Sequence, residues 1–164
     1  MKRGSSPERV RERIERLGLV PHPEGGFYRE FFRSRERVVT ADGRERTAMT
    51  AIHFLLEPGG HSRWHAVRSE EQWTFVEGAG LELFVLEPGA HGVQRIALGH
   101  GPGATASAVV PAGAWQAARA GASHALVVCT VAPGFEFADF RMIAEERGAR
   151  ERLERVAPDL VALL

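Results

Sequence analysis

Nine short segments with alternating apolar and polar residues constrain the fold of this chain more than any other feature. A period of two residues is typical of β-strands that bury one face, and the glycine- and proline-rich sequences between the segments favour turns. Strands that recur at spacings of roughly 8–12 residues predict a closed barrel or a sandwich. The predicted strands are Phe27–Arg33, Thr47–Leu56, Ser62–Val67, Glu71–Val76, Leu81–Leu86, Val93–Leu98, Ser107–Pro111, Trp115–Arg119 and His124–Ala132.

Helical spacing is confined to the two ends of the chain. Near the N-terminus, Ser5 and Glu8 form a predicted capping box and Gly18 ends the helix. Helical spacing returns from Met142 to Leu164. The 164 residues therefore predict one domain over residues 1–164, with a helix over about 5–18, a barrel over about 27–132 and a helical tail over about 139–164.

Composition excludes several classes of partner. Basic and acidic residues number 21 each, so charge gives no reason to expect a nucleic acid or an anionic membrane. No segment resembles a signal peptide or a membrane span, and we therefore expect a cytoplasmic protein. The single cysteine, Cys129, excludes an intramolecular disulfide; it lies in an apolar run where we expect a buried, unreactive thiol.

The stretch Gly60–Gly78 carries a pattern of residues that is typical of a ligand site. His65 and Glu71 lie six residues apart on two predicted strands, with aromatic residues following. This spacing resembles the first signature of the cupin superfamily, G-x5-H-x-H-x3,4-E-x6-G, whose named side chains usually hold a metal. Val67 stands in the place of the second histidine of that signature.

The second cupin signature, G-x5-P-x-G-x2-H-x3-N, has a partial counterpart further along the chain. Pro111 and Gly113 match it, whereas Gln116 replaces the histidine and Ala120 replaces the asparagine. The glycine that precedes the proline in the signature is also spaced differently here.

Four longer segments resemble one branch of the cupin superfamily, often labelled predicted sugar epimerases. They match its segments in order and cover most of the chain after residue 18. The resemblance implies an all-β fold, the cupin-type double-stranded β-helix or jelly-roll barrel, with an N-terminal helix, short C-terminal helices and a ligand pocket in the lumen. The segments are Leu19–Glu30, His65–Phe75, Val110–Ala118 and Pro133–Met142.

The cupin alignment places His65, Val67, Glu71 and Gln116 in the lumen. A stable transition-metal site normally has three or four imidazole, thiolate or carboxylate ligands. Valine cannot bind a metal, and an amide is a poor substitute for an imidazole. We therefore favour a protein without a metal or other cofactor; a divalent transition metal, if bound, would use His65, Glu71 and Gln116.

The resemblance also implies chemistry that needs no metal. In metal-independent cupin sugar epimerases, a lumen histidine removes a proton next to a keto group and a tyrosine returns it on the other face of the ring. His65 is the corresponding base here, and Glu71 would fix its tautomer. Tyr28, the single tyrosine of the chain, is the corresponding acid.

Further residues are predicted to bind the substrate or line its pocket. Arginines would hold a diphosphate group, and the charged HPEGG segment favours pocket lining, although its glycines could equally form a structural turn. The tryptophans are also typical of a core. The predicted substrate-binding residues are Glu24, Arg29, Arg63, Trp73, Phe75, Gln116 and Arg119, with Arg68 as a further arginine candidate.

Three classes of function remain open from the sequence. The first is a metal-independent epimerase or isomerase that acts on a small polar substrate such as a keto-sugar. The second is a metal-dependent cupin oxygenase or lyase, and the third is a non-catalytic module that binds a small polar ligand. We expect a homodimer, because antiparallel barrels of this size commonly pair through an edge strand and because such cupins resemble dimers.

Overall fold

The structure, a computed structural model, describes residues 6–164. Two α-helices, α1 (Ser6–Leu17) and α2 (Arg147–Val156), flank the strands, and 3-10 turns cover Phe137–Asp139, Ile143–Glu145 and Pro158–Leu163. The strands are β1 (Val20–Pro21), β2 (Phe27–Arg33), β3 (Arg37–Val39), β4 (Glu45–Thr47), β5 (Thr50–Leu56), β6 (His61–Ala66), β7 (Glu70–Gly78), β8 (Leu81–Leu86), β9 (Gln94–Leu98), β10 (Ser107–Val110), β11 (Trp115–Ala120), β12 (Ala125–Ala132) and β13 (Arg141–Met142).

Two antiparallel sheets form the body of the fold. One has the order β1-β2-β5-β12-β7-β10 and the other the order β13-β6-β11-β8-β9, while β3 and β4 form a separate hairpin. Neighbours in each sheet are mostly distant in sequence, as in a jelly roll. The all-β jelly roll with terminal helices that the sequence predicts is confirmed.

The strand registers determine which side chains enter the space between the sheets. Phe54 of β5 pairs with Val127 of β12, which pairs in turn with Phe75 of β7. Two residues farther along β12, Cys129 pairs with Trp73. Directly paired residues share a face of the sheet. All five side chains are buried, and together with inner-face residues of β8 and β11 they form the main core.

The helices cover the outer faces of the sheets. In α1, Val10 packs with Leu55 and Leu126 against the outer face of the six-stranded sheet. The C-terminal tail covers the other sheet, where the buried Trp64 donates a hydrogen bond from Nε1 to the Leu160 carbonyl at 3.1 Å. The amphipathic ends of the chain therefore convert a two-layer barrel into a four-layer structure.

Several short elements were not predicted from the sequence. The predicted strand Thr47–Leu56 is divided between the end of β4 and the whole of β5, and strands of two or three residues have no detectable period. Ser5, the predicted helix cap, lies outside the described residues. Among residues 6–164, no helix has the length and apolar character needed to cross a bilayer.

Candidate active site

A cavity of about 260 Å³ lies between the two sheets, beside the main core. Inward-facing residues of β2, β5, β6, β7 and β12 form its walls. Three connecting segments complete it: the turn after β1, the connection after β6 and the segment after β12. Its polar lining residues are His22, Glu24, Tyr28, Glu30, Arg33, Thr50, His65, Glu71, Cys129 and Glu136, and its apolar ones are Ile52, Val67, Val131, Phe135, Phe137 and Phe140.

A β-bulge in β6 directs two polar residues into this cavity. Gln116 of β11 pairs with His65, but Ala118, two residues on, pairs with Ser62. Three residues of β6 therefore span two of β11, and the extra residue reverses the in–out alternation. Ser62 and His65 consequently face the same side, while Trp64 between them packs under the C-terminal tail.

A second bulge has the same effect on the opposite wall. Glu30 of β2 pairs with Ile52, and Arg33 pairs with Thr50, so that β2 also carries one extra residue. In a regular strand, residues three apart would face opposite sides. Here both line the cavity, and Arg33 Nε donates to Glu30 Oε1 at 2.8 Å.

The Glu24 carboxyl group is the centre of the polar cluster. The Ser62 hydroxyl donates to its Oε1 at 2.9 Å. Its Oε2 lies 3.1 Å from His65 Nε2 and 3.4 Å from His22 Nδ1. Glu24 is only 6% exposed, so one buried carboxyl group lies between two imidazoles.

Two glycines allow the Glu24 turn to dock against β6. Gly25 has φ +108°, and a Cβ at this position would lie 2.5 Å from the His61 carbonyl oxygen. Gly26 has φ +69°, and its Cβ would lie 2.7 Å from the Leu55 carbonyl oxygen. No larger residue fits either position without displacing backbone. The HPEGG segment therefore has both predicted roles, since its glycines form the turn and its glutamate lines the pocket.

Backbone hydrogen bonds fix the tautomers of the two imidazoles. His65 Nδ1 lies 2.7 Å from the Arg63 carbonyl oxygen, which can only accept, so this nitrogen carries the proton. His22 Nδ1 accepts a hydrogen bond from the Glu24 amide at 3.2 Å, so the His22 proton is on Nε2. His65 therefore presents an unprotonated Nε2 to the Glu24 carboxyl group.

Glu71 is hydrogen-bonded to Gln116, whereas the sequence predicted that it would contact His65. Trp73 Nε1 donates to Gln116 Oε1 at 2.8 Å, and Gln116 Nε2 donates to Glu71 Oε2 at 2.6 Å. Gln116 is fully buried behind the carboxyl group. The carboxyl group within hydrogen-bonding distance of His65 is that of Glu24, whereas Glu71 acts on His65 through its charge.

Burial shifts the cluster toward its uncharged forms. Removal from water raises the pKa of Glu24 to about 8 and that of Glu71 to about 7. It lowers the pKa of His22 to about 4 and also lowers the pKa of His65. The thiol of Cys129 has a strongly raised pKa for the same reason, reinforced by the charge of Glu71. Two acids that ionise near neutral pH therefore lie beside two neutral imidazoles.

Three phenyl rings close the outer side of the cavity. Phe140 stacks on His65 with ring centres 5.5 Å apart, and Phe137 lies 6.2 Å from His22. Phe135 meets the Phe137 ring edge-on at 5.0 Å. The matched segment Pro133–Met142 thus supplies this wall, a role that was missed from the sequence.

The hairpin of β3 and β4 anchors this aromatic segment. Asp139 is buried in the 3-10 turn between Phe137 and Phe140. Arg46 donates to both of its carboxylate oxygens, at 2.8 and 2.9 Å, and Arg44 Nη1 lies 2.9 Å from Oδ1. The hairpin therefore fixes the position of the rings above the cavity.

The structure brings together some of the predicted site residues. His65, Glu71, Tyr28 and Glu24 all line the cavity. Gln116 lies directly behind Glu71. Trp73 and Phe75 also face inward, but they belong to the main core and do not line the cavity.

The predicted diphosphate-binding arginines lie elsewhere and do not reach the cavity. Arg29 is paired in register with the outward-facing His53 and donates to the Leu17 carbonyl. Arg63 occupies the β6 bulge and donates to the Pro23 carbonyl. Arg119 forms an exposed ion pair with Glu82 at 2.7 Å, and Arg68 is exposed.

Other lining residues were missed from the sequence. His22 belongs to the matched HPEGG segment. Because Glu24 of the same segment was predicted to line the pocket, His22 could have been predicted with it. Arg33 and Glu30 carried no such signal, because their common orientation depends on the β2 bulge.

The lining residues do not fit a transition metal. Within residues 6–164, no three His, Cys, Asp or Glu side chains are arranged to hold a metal ion. The oxygen of Gln116 already accepts a hydrogen bond from Trp73, and Val67 has no donor atom. Such a site normally needs three or four ligands.

Fold and cavity together define a jelly-roll protein with a polar pocket between its sheets. The family described as Cupin superfamily (DUF985) matches residues 11–143. The chain belongs to this family.

Solved structures agree with this assignment. A hypothetical protein from Leishmania major is 31% identical, with a TM-score of 0.79 over 93% of this chain and 94% of its own. A protein from Shewanella oneidensis is also 31% identical, with a TM-score of 0.76 over 93% of this chain and 92% of its own. Oxalate decarboxylase from Bacillus subtilis shares only the fold: it is 14% identical, with a TM-score of 0.60 over 88% of this chain and 36% of its own. No curated protein matches the chain.

Proposed function

We propose that this protein moves a proton on a small polar molecule that carries a carbonyl group, as an isomerase or epimerase that needs no metal. The observation that carries the proposal is the meeting of three groups in one buried cavity: the His65–Glu24 pair and the Glu71 carboxyl group. A C–H next to a carbonyl is acidic enough for a carboxylate or an imidazole to remove its proton when the site excludes water.

Glu71 is suited to accept or donate a proton near neutral pH. Its pKa of about 7 lies close to the pH at which an acid–base catalyst works best. Gln116 holds Oε2 from behind, at 2.6 Å. The carboxyl group therefore keeps one fixed orientation on the cavity wall.

His65 acts together with Glu24. The Arg63 carbonyl holds Nδ1–H, so Nε2 is the nitrogen that exchanges a proton. Glu24 and Ser62 continue the hydrogen-bonded chain. In the proposed cycle, Glu71 takes the substrate proton, or His65 takes it once Glu24 has turned away from Nε2, and the C–H electron pair forms the enolate.

Tyr28 is the proposed source of a proton on the opposite face of the substrate. It projects from β2 of one sheet, whereas His65 projects from β6 of the other, and both line the cavity. Return of a proton to the same carbon from the Tyr28 side inverts that centre. Where the first carbon also bears a hydroxyl group, transfer of the hydroxyl proton to the enolate oxygen, followed by return of a proton to the former carbonyl carbon, moves the carbonyl group instead. In both cases the reaction consumes no cofactor, which agrees with a set of lining residues that fits no metal.

Exchange of substrate hydrogen for solvent deuterium tests the proposal. The protein is incubated in heavy water with a panel of small hydroxy-ketones, amino-ketones and keto-sugars, and deuterium at the carbon next to the carbonyl is followed by NMR. We expect exchange on at least one compound. Both Glu71→Gln and His65→Asn should lower its rate by about 100- to 10,000-fold, which is the usual contribution of acid–base catalysis.

Glu82→Gln is the matched control, because it makes the same chemical change in an exposed carboxylate that forms a surface ion pair with Arg119. It should retain the full exchange rate. Saturable binding of a panel compound without any exchange would identify a non-catalytic binding module instead. Full exchange in Tyr28→Phe would show that the tyrosine is not the acid.

A further inference from the structure

Carboxyl groups outnumber cations on the walls of the cavity. Its ionisable lining includes Glu24, Glu30, Glu71 and Glu136, against one guanidinium, that of Arg33. Two of the carboxyl groups, Glu24 and Glu71, lie at the buried end beside the imidazoles. An anionic ligand would therefore lie against carboxyl groups, which repel it whenever they are ionised.

The single lining guanidinium has little capacity left for a ligand. Arg33 donates to both carboxylate oxygens of Glu30, at 2.8 and 2.9 Å, and to Glu136 at 2.9 Å. It also donates to the Phe135 carbonyl at 3.1 Å. Four of the five N–H groups of a guanidinium are thus used. The arginines predicted to bind a diphosphate, Arg29, Arg63 and Arg119, lie outside the cavity.

Aromatic rings supply another part of the cavity wall. Phe135, Phe137 and Phe140 form a cluster with ring centres 5.0–6.2 Å apart, and Tyr28 lines the same cavity. The faces of such rings attract cations, and ammonium groups are bound in proteins by aromatic side chains in this way.

We propose that the ligand of this cavity is a small organic cation, bound with its ammonium group between the phenyl rings and the carboxyl groups of Glu24 and Glu71. This inference deepens the proposed function, on which it rests for the reacting carbonyl group, and it makes the substrate class an amine-bearing carbonyl compound. The cavity volume of about 260 Å³ lies just below the roughly 300–1,000 Å³ of pockets for drug-sized ligands.

The protonation of Glu24 and Glu71 is consistent with a cationic ligand. Glu24 and Glu71 have raised pKa values because burial penalises their charge, and at Glu24 this outweighs the effect of the nearby Arg63 guanidinium. An ammonium group within about 4–6 Å favours the ionised form. The other charged or titratable groups around the two acids are His22, His65, Cys129 and Arg63, with Arg33, Glu30 and Glu136 at the mouth.

Choline and its neutral isostere 3,3-dimethylbutan-1-ol provide a matched test, because they have the same shape and differ in charge. Binding of each to the full chain is measured by calorimetry and by NMR. We expect choline to saturate the protein at concentrations of about 1 mM or below and to bind at least about tenfold more tightly than the alcohol. Glucose 6-phosphate, an anionic probe, should not compete.

Substitutions of cavity residues test whether the preference for choline over the alcohol arises in the cavity. Glu71→Gln should reduce the ratio of choline to alcohol affinity severalfold, as should Phe140→Leu, which removes a ring and keeps an apolar side chain. Glu82→Gln should leave it unchanged. Equal affinity for both isosteres, tighter binding of the phosphate, or no saturation by choline at about 50 mM would each overturn the inference.

The test separates this inference from the proposed function, since choline has no carbonyl group and cannot report on catalysis. A choline preference without deuterium exchange on any compound would support the proposed cationic ligand and contradict the proposed enzymatic activity. Exchange on uncharged ketones only, with no choline preference, would support the proposed enzymatic activity and contradict the proposed cationic ligand.

Discussion

Replacement of Glu71 by glutamine should stabilise the protein at alkaline pH and have little effect at acidic pH. The wild-type carboxyl group is buried, and burial raises its pKa from 4.5 to about 7. An amide has nearly the same shape, can still accept the hydrogen bond from Gln116 and carries no ionisable proton. The substitution therefore removes the cost of keeping this group protonated in the folded state.

The sign and size of the effect follow from linkage. Below pH 4.5 both folded and unfolded chains hold the proton, so the two proteins should differ little. Between pH 4.5 and about 7 the unfolded chain releases its proton first, and the stability of the wild type falls as the pH rises. Each tenfold difference in proton affinity corresponds to about 1.4 kcal/mol, so the variant should be about 3 kcal/mol more stable at pH 8 than the wild type.

Urea denaturation at pH 4, 6 and 8 measures this difference directly, with Glu82→Gln as the control for an exposed carboxylate. The free energy of unfolding of Glu71→Gln relative to wild type should increase across the series, while that of the control should remain nearly constant. A difference that is independent of pH, or a variant that is less stable at pH 8, would refute the reasoning from burial.

Two further substitutions test the supports of the site. Gln116→Leu leaves the buried Trp73 N–H and one Glu71 oxygen without their partner, so the free energy of unfolding should fall by about 3 kcal/mol in urea denaturation; an unchanged value would show that the network contributes nothing. Asp139→Asn weakens the ion pairs with Arg46, so amides 135–140 should exchange with solvent at least about fivefold faster by mass spectrometry, and unaltered exchange would mean that the hairpin does not anchor the aromatic wall.

The strands were predicted well because their signals are local. Phe27–Arg33 and Leu81–Leu86 have the same limits in the sequence prediction and in the structure, since alternation and flanking turn residues define both ends. The hairpin of β3 and β4 was missed for the opposite reason. Its strands of three residues, Arg37–Val39 and Glu45–Thr47, are too short to show a period.

The site was predicted only in part, because its geometry depends on strand pairing. Glu24 meets Ser62 and His65 only after the turn with its glycine pair docks on β6, and the β6 bulge brings both of these side chains to one face. No local sequence pattern identifies which residue of a strand will be the extra residue of a β-bulge. The same limitation hid the common orientation of Glu30 and Arg33.

The predicted arginines lie outside the cavity because the orientation of a strand residue depends on strand pairing. Alternation within β2 places Arg29 on the outer side together with His53, and alternation within β11 places Arg119 opposite Glu82. A family motif gives the residue type at a position but not its direction. In this chain, the direction decides which arginine lines the cavity.

The central claim is that two buried carboxyl groups beside His65 are ready to exchange protons near neutral pH. NMR titration of the chain with ¹³C-labelled glutamate carboxyl groups measures this directly, with Glu24→Gln and Glu71→Gln used to assign the two signals. We expect one signal with a midpoint at about pH 8 and a second at about pH 7, each lost in its own variant. Titration of both carboxyl groups near their ordinary value, below about pH 5, would contradict it.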